Sequence, residues 1–319
     1  MPIFLRDISP KDKPWDKHGR EANIVRDLLK GTEYDRLAQR IDSCSGELLF
    51  DVITDPDTGE QRLKLRSTRF CRVRVCPKCQ WRHSLGWRRR FYRAVPLVLR
   101  DYPTARFILL TLTVRNCPIG ELRSTLARMN KAWDKLLKRK NWPAIGFVRA
   151  VEVTRNNDPS SEWHGTAHPH FHVLLMVKPA YFSRDYINQQ QWAQMWQQCL
   201  QVDYEPRVDV RIIRSKEKAM DADSLMLSLL EVLKYSVKPD DLCQDRDWLL
   251  SLVSQLHKTR SVSVGGVLRS YLSDAEITDE EMISGDEKEE DIEPEVDPWR
   301  FGWREAYRRY VKLESDIAS

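Results

Sequence analysis

The chain has 319 residues, of which 41% are hydrophobic and 9% aromatic, a composition that excludes a largely disordered protein. No apolar run is long enough to cross a bilayer and the N-terminus has no signal-peptide pattern, so we expect a cytoplasmic protein without a membrane partner. The net charge is +5, but outside the acidic segment Asp274–Asp297 the chain has 51 basic and 34 acidic residues. This excess of positive charge favours a nucleic acid partner over a merely soluble, well-charged surface.

The hydrophobic pattern predicts helices and strands that alternate along the chain. Residues 1–40 are polar with one helix near Glu21–Ile41, and residues 42–66 form short strands around a turn at Asp55–Gly59. Further predicted helices cover Ser84–Leu99, Ile119–Lys140, Asp185–Leu200 and Asp223–Val237, and predicted strands cover Phe107–Val114, Ile145–Thr154, His170–Val177 and Arg207–Ile213. This order predicts an α+β fold, in which helices pack against an antiparallel sheet.

Four of the seven cysteines indicate a metal site. The total is odd and no export signal is present, so structural disulfides are not expected. Cys71, Cys76 and Cys79, with Cys44 upstream, can supply four thiolates to a tetrahedral zinc ion, and the Cys-Pro-x-Cys turn suits this geometry. His83 is a reserve ligand if Cys44 lies elsewhere. The alternative is a set of reduced cysteines without a metal.

The stretch from Arg62 to Arg93 has twelve Lys or Arg residues and no acid, interleaved with aromatic residues. Basic side chains can contact phosphates and aromatic rings can stack on bases, so we expect this stretch to bind DNA. The candidate contact residues are Arg72, Arg74, Lys78, Trp81, Arg82, Arg88, Arg89 and Arg90. The alternative is that the aromatic residues belong to the core and the arginines are solvated.

The sharpest local pattern is His168-Pro-His-Phe-His172. Side chains alternate between the two faces of a strand, so His170 and His172 project to the same side and can share a divalent cation. Glu152, between two valines on the preceding strand, faces them if the two strands pair as a hairpin. A carboxylate with two imidazoles suits Mg²⁺, Mn²⁺ or Zn²⁺. His168 is a further possible ligand, although Pro169 should limit regular pairing there; the alternative is a set of ordinary surface histidines.

A second pattern lies in the last predicted helix. Glu231, Tyr235 and Lys238 are spaced to share one helical face, with Lys234 beside it. The phenol, with a reference pKa of about 10, needs help to become a nucleophile, which a lysine and a carboxylate could provide. Alone this pattern is weak, because most helix tyrosines are packing residues.

These patterns together resemble a known superfamily. Ile108–Thr113, His168–His172 and Glu231–Tyr235 are similar, in this order, to the three motifs of HUH endonucleases. Within that group the chain resembles the rolling-circle replication initiators of small bacterial plasmids, of the single-tyrosine, Cys-rich type. Phe70–Trp81 and Val262–Leu268 resemble further signatures of these proteins. The resemblance covers about residues 40–272.

The resemblance implies a mechanism. His170 and His172 would bind the cation, Mg²⁺ or Mn²⁺, with Glu152 as third ligand. Tyr235 would attack the polarised phosphate at the replication origin, which leaves a 5′-phosphotyrosyl link and a 3′-OH that primes synthesis. Glu231 would be the base for a water-mediated second cleavage. Expected partners are single-stranded origin DNA and the host helicase and polymerase.

With this resemblance, the sequence divides into five regions. These are an N-terminal extension (1–40), a Cys-rich zinc- and DNA-binding module (41–95), an HUH nicking domain (96–272), an acidic flexible linker (273–298) and a C-terminal helix (299–319). One alternative function is that of an HUH transposase or relaxase. Alternatives of other classes are a non-catalytic zinc-dependent DNA-binding regulator and a metal-dependent hydrolase of small phosphoesters.

Overall fold

The computed structural model describes residues 1–55, 58–214, 222–233, 236–285 and 297–314. Its helices are α1 (Leu5–Ile8), α2 (Lys13–Leu29), α3 (Asp35–Asp42), α4 (Pro77–Asp101), α5 (Leu122–Leu137), α6 (Gln189–Leu200), α7 (Ala222–Val232), α8 (Pro239–Leu242), α9 (Arg246–Leu256) and α10 (Asp279–Ser284). Its strands are β1 (Glu47–Thr54), β2 (Gln61–Thr68), β3 (Arg106–Thr113), β4 (Ala144–Arg155), β5 (Ala167–Val177), β6 (Val208–Ile212), β7 (Val262–Gly266), β8 (Trp299–Arg304) and β9 (Arg309–Lys312). The predicted α+β class is confirmed.

The chain forms two compact units. The first contains Met1–Arg89, Leu242–Arg246 and Ile277–Ser319, and the second contains Arg90–Asp241 and Asp247–Glu276. Within the described residues each unit has one antiparallel sheet, with the strand order β2-β1-β8-β9 in the first and β6-β3-β5-β4-β7 in the second. Among the described residues, no helix has the length and hydrophobicity required to cross a membrane.

The two ends of the sequence contribute to the core of the first unit. Trp15 of α2, Phe50 of β1 and Tyr310 of β9 are fully buried there. The helix predicted near Glu21–Ile41 is wrong, because Gly31 has φ +70° and separates α2 from α3.

The C-terminal helix predicted over residues 299–319 is also wrong, since β8 and β9 form a hairpin there. Aromatic residues alternate at Trp299, Phe301 and Trp303, and this period of two suits a strand that buries one face.

The acidic linker predicted over residues 273–298 is ordered in its first part. Thr278 and Glu281 form a capping box that begins α10, in which the Thr278 hydroxyl accepts from the Glu281 N–H. Ile277 and Met282 are 0% and 2% exposed, so this segment belongs to the core of the first unit. The prediction of a flexible linker is therefore wrong for this part, and residues 286–296 lie outside the described residues.

Helices cover both faces of the five-stranded sheet in the second unit. On one face, Trp133 of α5 contacts Phe147 and Phe171 with ring centroids 5.1 and 6.4 Å apart. On the other, Val232 of α7 lines a small cavity together with His172. The face that carries the histidines therefore also receives α7, the helix that precedes position 235.

Three local predictions need correction. The helix α6 begins at Gln189 rather than Asp185, because the Asn188 side chain caps it. The strand β5 begins at Ala167 rather than His170, and it includes Pro169, which lies opposite Val153 of β4. Because β3 pairs with β5 only as far as His170, the missing N–H of the proline removes no hydrogen bond between these two strands. The helix predicted to reach Val237 ends at Val232.

Candidate functional site

The β4–β5 hairpin brings together the three residues predicted to bind a catalytic cation. Glu152 lies directly opposite His170 in the ladder, as the alternation of side chains predicts. Its Oε2 is 2.8 Å from His170 Nε2 and 2.7 Å from His172 Nε2. We call Glu152, His170 and His172 the Glu-His centre.

The electrostatics of the Glu-His centre favour a charged carboxylate. Glu152 and His170 are each 9% exposed, and burial alone would raise the pKa of Glu152. The hydrogen bonds with His170 and His172 and the charge of the two rings outweigh burial and hold the pKa of Glu152 well below its usual range. A carboxylate and two imidazoles whose ligand atoms lie within 4.8 Å of one another fit a divalent cation, since neighbouring ligands at bond lengths of ~2.1 Å are about 3 Å apart.

Each imidazole of this centre has a second contact through Nδ1. His170 Nδ1 is 3.2 Å from the backbone oxygen of His168, and His172 Nδ1 is 3.3 Å from Thr111 Oγ1. Thr111 was not among the predicted site residues. It lies in the segment Ile108–Thr113, and in the sheet it is directly opposite His172. His168 lies outside the three-residue ligand group; its ring centroid is 5.4 Å from that of His170, and burial lowers its pKa.

The candidate nucleophile, Tyr235, lies outside the described residues, as do Lys234 and the side chain of Glu231. Lys238 is exposed and follows the end of α7, so the expected helical face shared with Glu231 does not extend to it. The chain after position 235 returns to the sheet instead. Val237 forms a parallel bridge with Val153, and the Val153 N–H donates to the Ser236 carbonyl at 2.9 Å. Ser236, which follows position 235, is thus hydrogen-bonded to Val153, which follows Glu152.

The four predicted cysteine ligands meet in the first unit and are all buried. We call Cys44, Cys71, Cys76 and Cys79 the four-cysteine centre. The Sγ atoms of the pairs Cys44–Cys79, Cys71–Cys79 and Cys44–Cys76 are 3.6, 3.6 and 3.8 Å apart. A tetrahedron with Zn–S bonds of ~2.3 Å has edges of about 3.8 Å, so the group fits zinc. His83 lies outside this group.

Positive charge near the four-cysteine centre can stabilise thiolates. Cys76 and Cys79 lie at the N-terminus of α4, where the helix dipole stabilises negative charge. Hydrogen bonds among the thiols hold the pKa of Cys44 well below its usual range. Hydrogen bonds with Cys44 raise the pKa values of Cys71 and Cys79, and burial raises that of Cys76, so the metal-free group favours one thiolate, at Cys44. The buried Lys78 ammonium donates to the Cys44 carbonyl. Its positive charge can offset part of the charge of a four-thiolate site.

Several predicted DNA contacts have other partners. Lys78, Trp81 and Arg82 are buried, so the structure does not present them to a DNA partner. The Arg82 guanidinium lies 5.3 and 5.1 Å from the Trp15 and Trp81 rings and donates to the carbonyls of residues 282 and 283.

The predicted arginines that are less buried also have partners. Arg72 is exposed, but it donates to the Asp279 carboxylate at 3.0 and 2.5 Å. Arg90, in the second unit, donates to the carbonyls of residues 273, 275 and 276. Arg74, Arg88 and Arg89 are half-buried, and burial lowers the pKa of Arg74 to about 10.

A family model described as replication protein matches residues 62–311 of the chain. The chain belongs to the replication protein family. It is 35% identical over 288 residues to a "Protein rep" of Lentilactobacillus hilgardii, which covers 86% of this chain and 87% of the relative. A "Protein rep" of Bacillus amyloliquefaciens is 30% identical over 330 residues, with 94% of each chain covered. One of Streptococcus pneumoniae serotype 2 is 34% identical over 268 residues, with coverage of 81% and 78%. No solved structure matches significantly.

Proposed function

We propose that this replication protein initiates rolling-circle replication of a plasmid by nicking and joining single-stranded DNA at the replication origin. The observation that carries the proposal is the Glu-His centre, in which one carboxylate and two imidazoles converge from paired strands. Burying a carboxylate costs free energy unless its partners compensate, and clusters of carboxylate and imidazole groups with shifted pKa values are concentrated at functional sites.

Glu152, His170 and His172 would hold Mg²⁺ or Mn²⁺. Bound there, the cation would polarise the scissile phosphate of the DNA and offset the negative charge of the transition state. The two histidines and the carboxylate would fix its position, because their own geometry is set by the register of the β4–β5 hairpin.

Tyr235 would act as the nucleophile. Its phenol oxygen forms a bond to phosphorus while the bond from phosphorus to the 3′ oxygen breaks, which yields a 5′-phosphotyrosyl link and a 3′-OH. The phenol proton passes to a base, and the 3′ oxygen takes up a proton from solvent. The hydrogen bond from the Val153 N–H to the Ser236 carbonyl supports this assignment, because it holds the chain next to position 235 against the strand that carries Glu152.

The charged residues near Tyr235 would have separate roles. Lys234 and Lys238 would stabilise negative charge on the phenol or phosphate. Glu231 would activate water for the second cleavage that ends a replication round. The four-cysteine centre would hold a structural Zn²⁺, and the exposed basic residues of the Cys-rich module would help to recognise the origin. The host helicase and polymerase would then use the 3′-OH.

The test is a covalent-adduct assay with a single-stranded origin oligonucleotide and Mn²⁺. The unsubstituted protein should form an adduct that denaturing gels retain, and Tyr235→Phe should form none, because it lacks the nucleophilic oxygen. Glu231→Ala should still nick but release the DNA poorly. An adduct that persists in Tyr235→Phe would refute the assignment. Absence of any cleavage would favour a DNA-binding regulator, and phosphoester hydrolysis that survives Tyr235→Phe would favour a simple hydrolase.

A further inference from the structure

Two chemically different groups orient the histidines of the Glu-His centre. The His170 ring is held through Nδ1 by the His168 backbone carbonyl, which the strand itself supplies. The His172 ring is held through Nδ1 by the Thr111 hydroxyl, a side chain from the neighbouring strand β3. The position of one ligand therefore depends on the backbone, and that of the other depends on a replaceable side chain.

We propose that Thr111 is a positioning residue for the catalytic cation, an inference that rests on the proposed cation site. An imidazole binds a metal through one nitrogen when the other nitrogen carries the proton, and the partner of that proton fixes the tautomer and the ring orientation. Thr111 Oγ1 lies 3.3 Å from His172 Nδ1. With a cation at Nε2 the imidazole proton would lie on Nδ1, and Thr111 Oγ1 would accept from it and hold the Nε2 lone pair on the side of the Glu152 carboxylate.

The sheet geometry makes this contact specific. Thr111 lies directly opposite His172, and β3 is paired on both sides, with β5 and with β6, so its side chains are held on a fixed face. Thr113 lies opposite His170 on the same face, but its hydroxyl donates to the Arg207 carbonyl at 2.8 Å. The hydroxyls of two threonines two residues apart thus have different hydrogen-bond partners, one the His172 ring and the other a backbone carbonyl, which provides a matched control.

The first experiment measures Mn²⁺ affinity by the electron paramagnetic resonance signal of free Mn²⁺, without DNA, on zinc-loaded protein. Thr111→Val keeps the side-chain shape but removes the acceptor, and it should weaken Mn²⁺ binding by about 10- to 100-fold. Thr111→Ser, which keeps the hydroxyl, should bind Mn²⁺ as tightly as the unsubstituted protein, and so should Thr113→Val. Equal affinity in Thr111→Val and the unsubstituted protein, or an equal loss in Thr113→Val, would overturn the proposal.

A second measurement needs no substitution at position 111 and so does not depend on a variant that folds. Imidazole ¹⁵N spectra of the protein with Zn²⁺ added beyond the four-cysteine centre should show His172 with its proton on Nδ1 and its metal bond on Nε2. The reverse arrangement would overturn the role of Thr111. Since both measurements omit DNA, a protein that binds the cation but forms no adduct would contradict the proposed function and leave this inference intact. A protein that binds no cation outside the four-cysteine centre would contradict both.

Discussion

The two candidate metal centres differ in how the chain builds them. The Glu-His centre comes from two strands joined by one loop, and their register sets its geometry. The four-cysteine centre gathers residues from the turn after α3, from the loop between β2 and α4 and from the first turn of α4, and all four of its residues are buried. A mixed oxygen and nitrogen site suits a cation that must meet substrate, whereas four buried thiolates suit a cation that holds a fold together. We therefore predict that loss of the Glu-His centre removes nicking activity, whereas loss of the four-cysteine centre lowers the stability of the fold.

The largest effect expected from this difference is on nicking. Glu152→Gln removes the charge of the Glu-His centre but keeps its shape, so nicking with Mn²⁺ should fall by about three orders of magnitude or more. The melting temperature should fall much less than after loss of a zinc ligand, because the amide still fills the site and only the contribution of the ionised carboxylate disappears. Single-turnover cleavage of an origin oligonucleotide and a thermal melt measure the two properties. Nearly full cleavage by Glu152→Gln would show that the carboxylate is not a ligand.

The opposite pattern is expected for the four-cysteine centre. Cys76→Ser, at a fully buried ligand, should release zinc and lower the melting temperature by about 10 °C or more, since structural zinc contributes several kcal/mol to folding. Cys199→Ser is a matched control, because Cys199 is also buried but lies outside the cluster. Zinc content by atomic absorption should fall in the first variant alone. An unchanged zinc content in Cys76→Ser would contradict the assignment.

A smaller effect is expected from the ordered acidic segment. Ile277 is fully buried, and a Cβ at Gly86 would lie 2.4 Å from its Cγ2 atom. Ile277→Ala should therefore destabilise the first unit by about 2–4 kcal/mol through the cavity that it leaves. Glu280→Ala, at an exposed position of α10, the helix that follows Ile277, should cost less than about 0.5 kcal/mol. Equal stabilities of the two variants in urea would show that the segment is not part of the core.

The smallest effect is a pH dependence of the metal-free protein. The folded-state pKa of Glu152 lies below its ordinary value of 4.5, so its ionised form contributes stability above pH 4.5. This contribution is lost as the pH falls further, through the folded-state pKa. Glu152→Gln should flatten this part of the stability profile, measured by urea unfolding between pH 6 and pH 3 (about the range over which carboxylates titrate). Parallel profiles would mean that the hydrogen bonds with the histidines add no stability.

Short-range patterns predicted the parts of both centres that depend on local geometry. Alternation placed His170 and His172 on one face, and cysteine spacing identified the four thiols. The burial of Ile277 was not predictable, because it depends on contacts with residues about 190 positions away in the sequence. The end of α7 was missed because the apolar spacing continues to Val237, whereas the chain forms a bridge with Val153 instead. Long-range pairing of the backbone outweighs helical periodicity at that point.

The most direct test is a crystal structure of Tyr235→Phe with a single-stranded origin oligonucleotide and Mn²⁺. The anomalous map should show the cation on Glu152, His170 and His172, with the scissile phosphate bound to it and the ring at position 235 beside the phosphorus atom. A cation bound elsewhere, or a ring at position 235 that faces away from the phosphate, would contradict the proposed reaction.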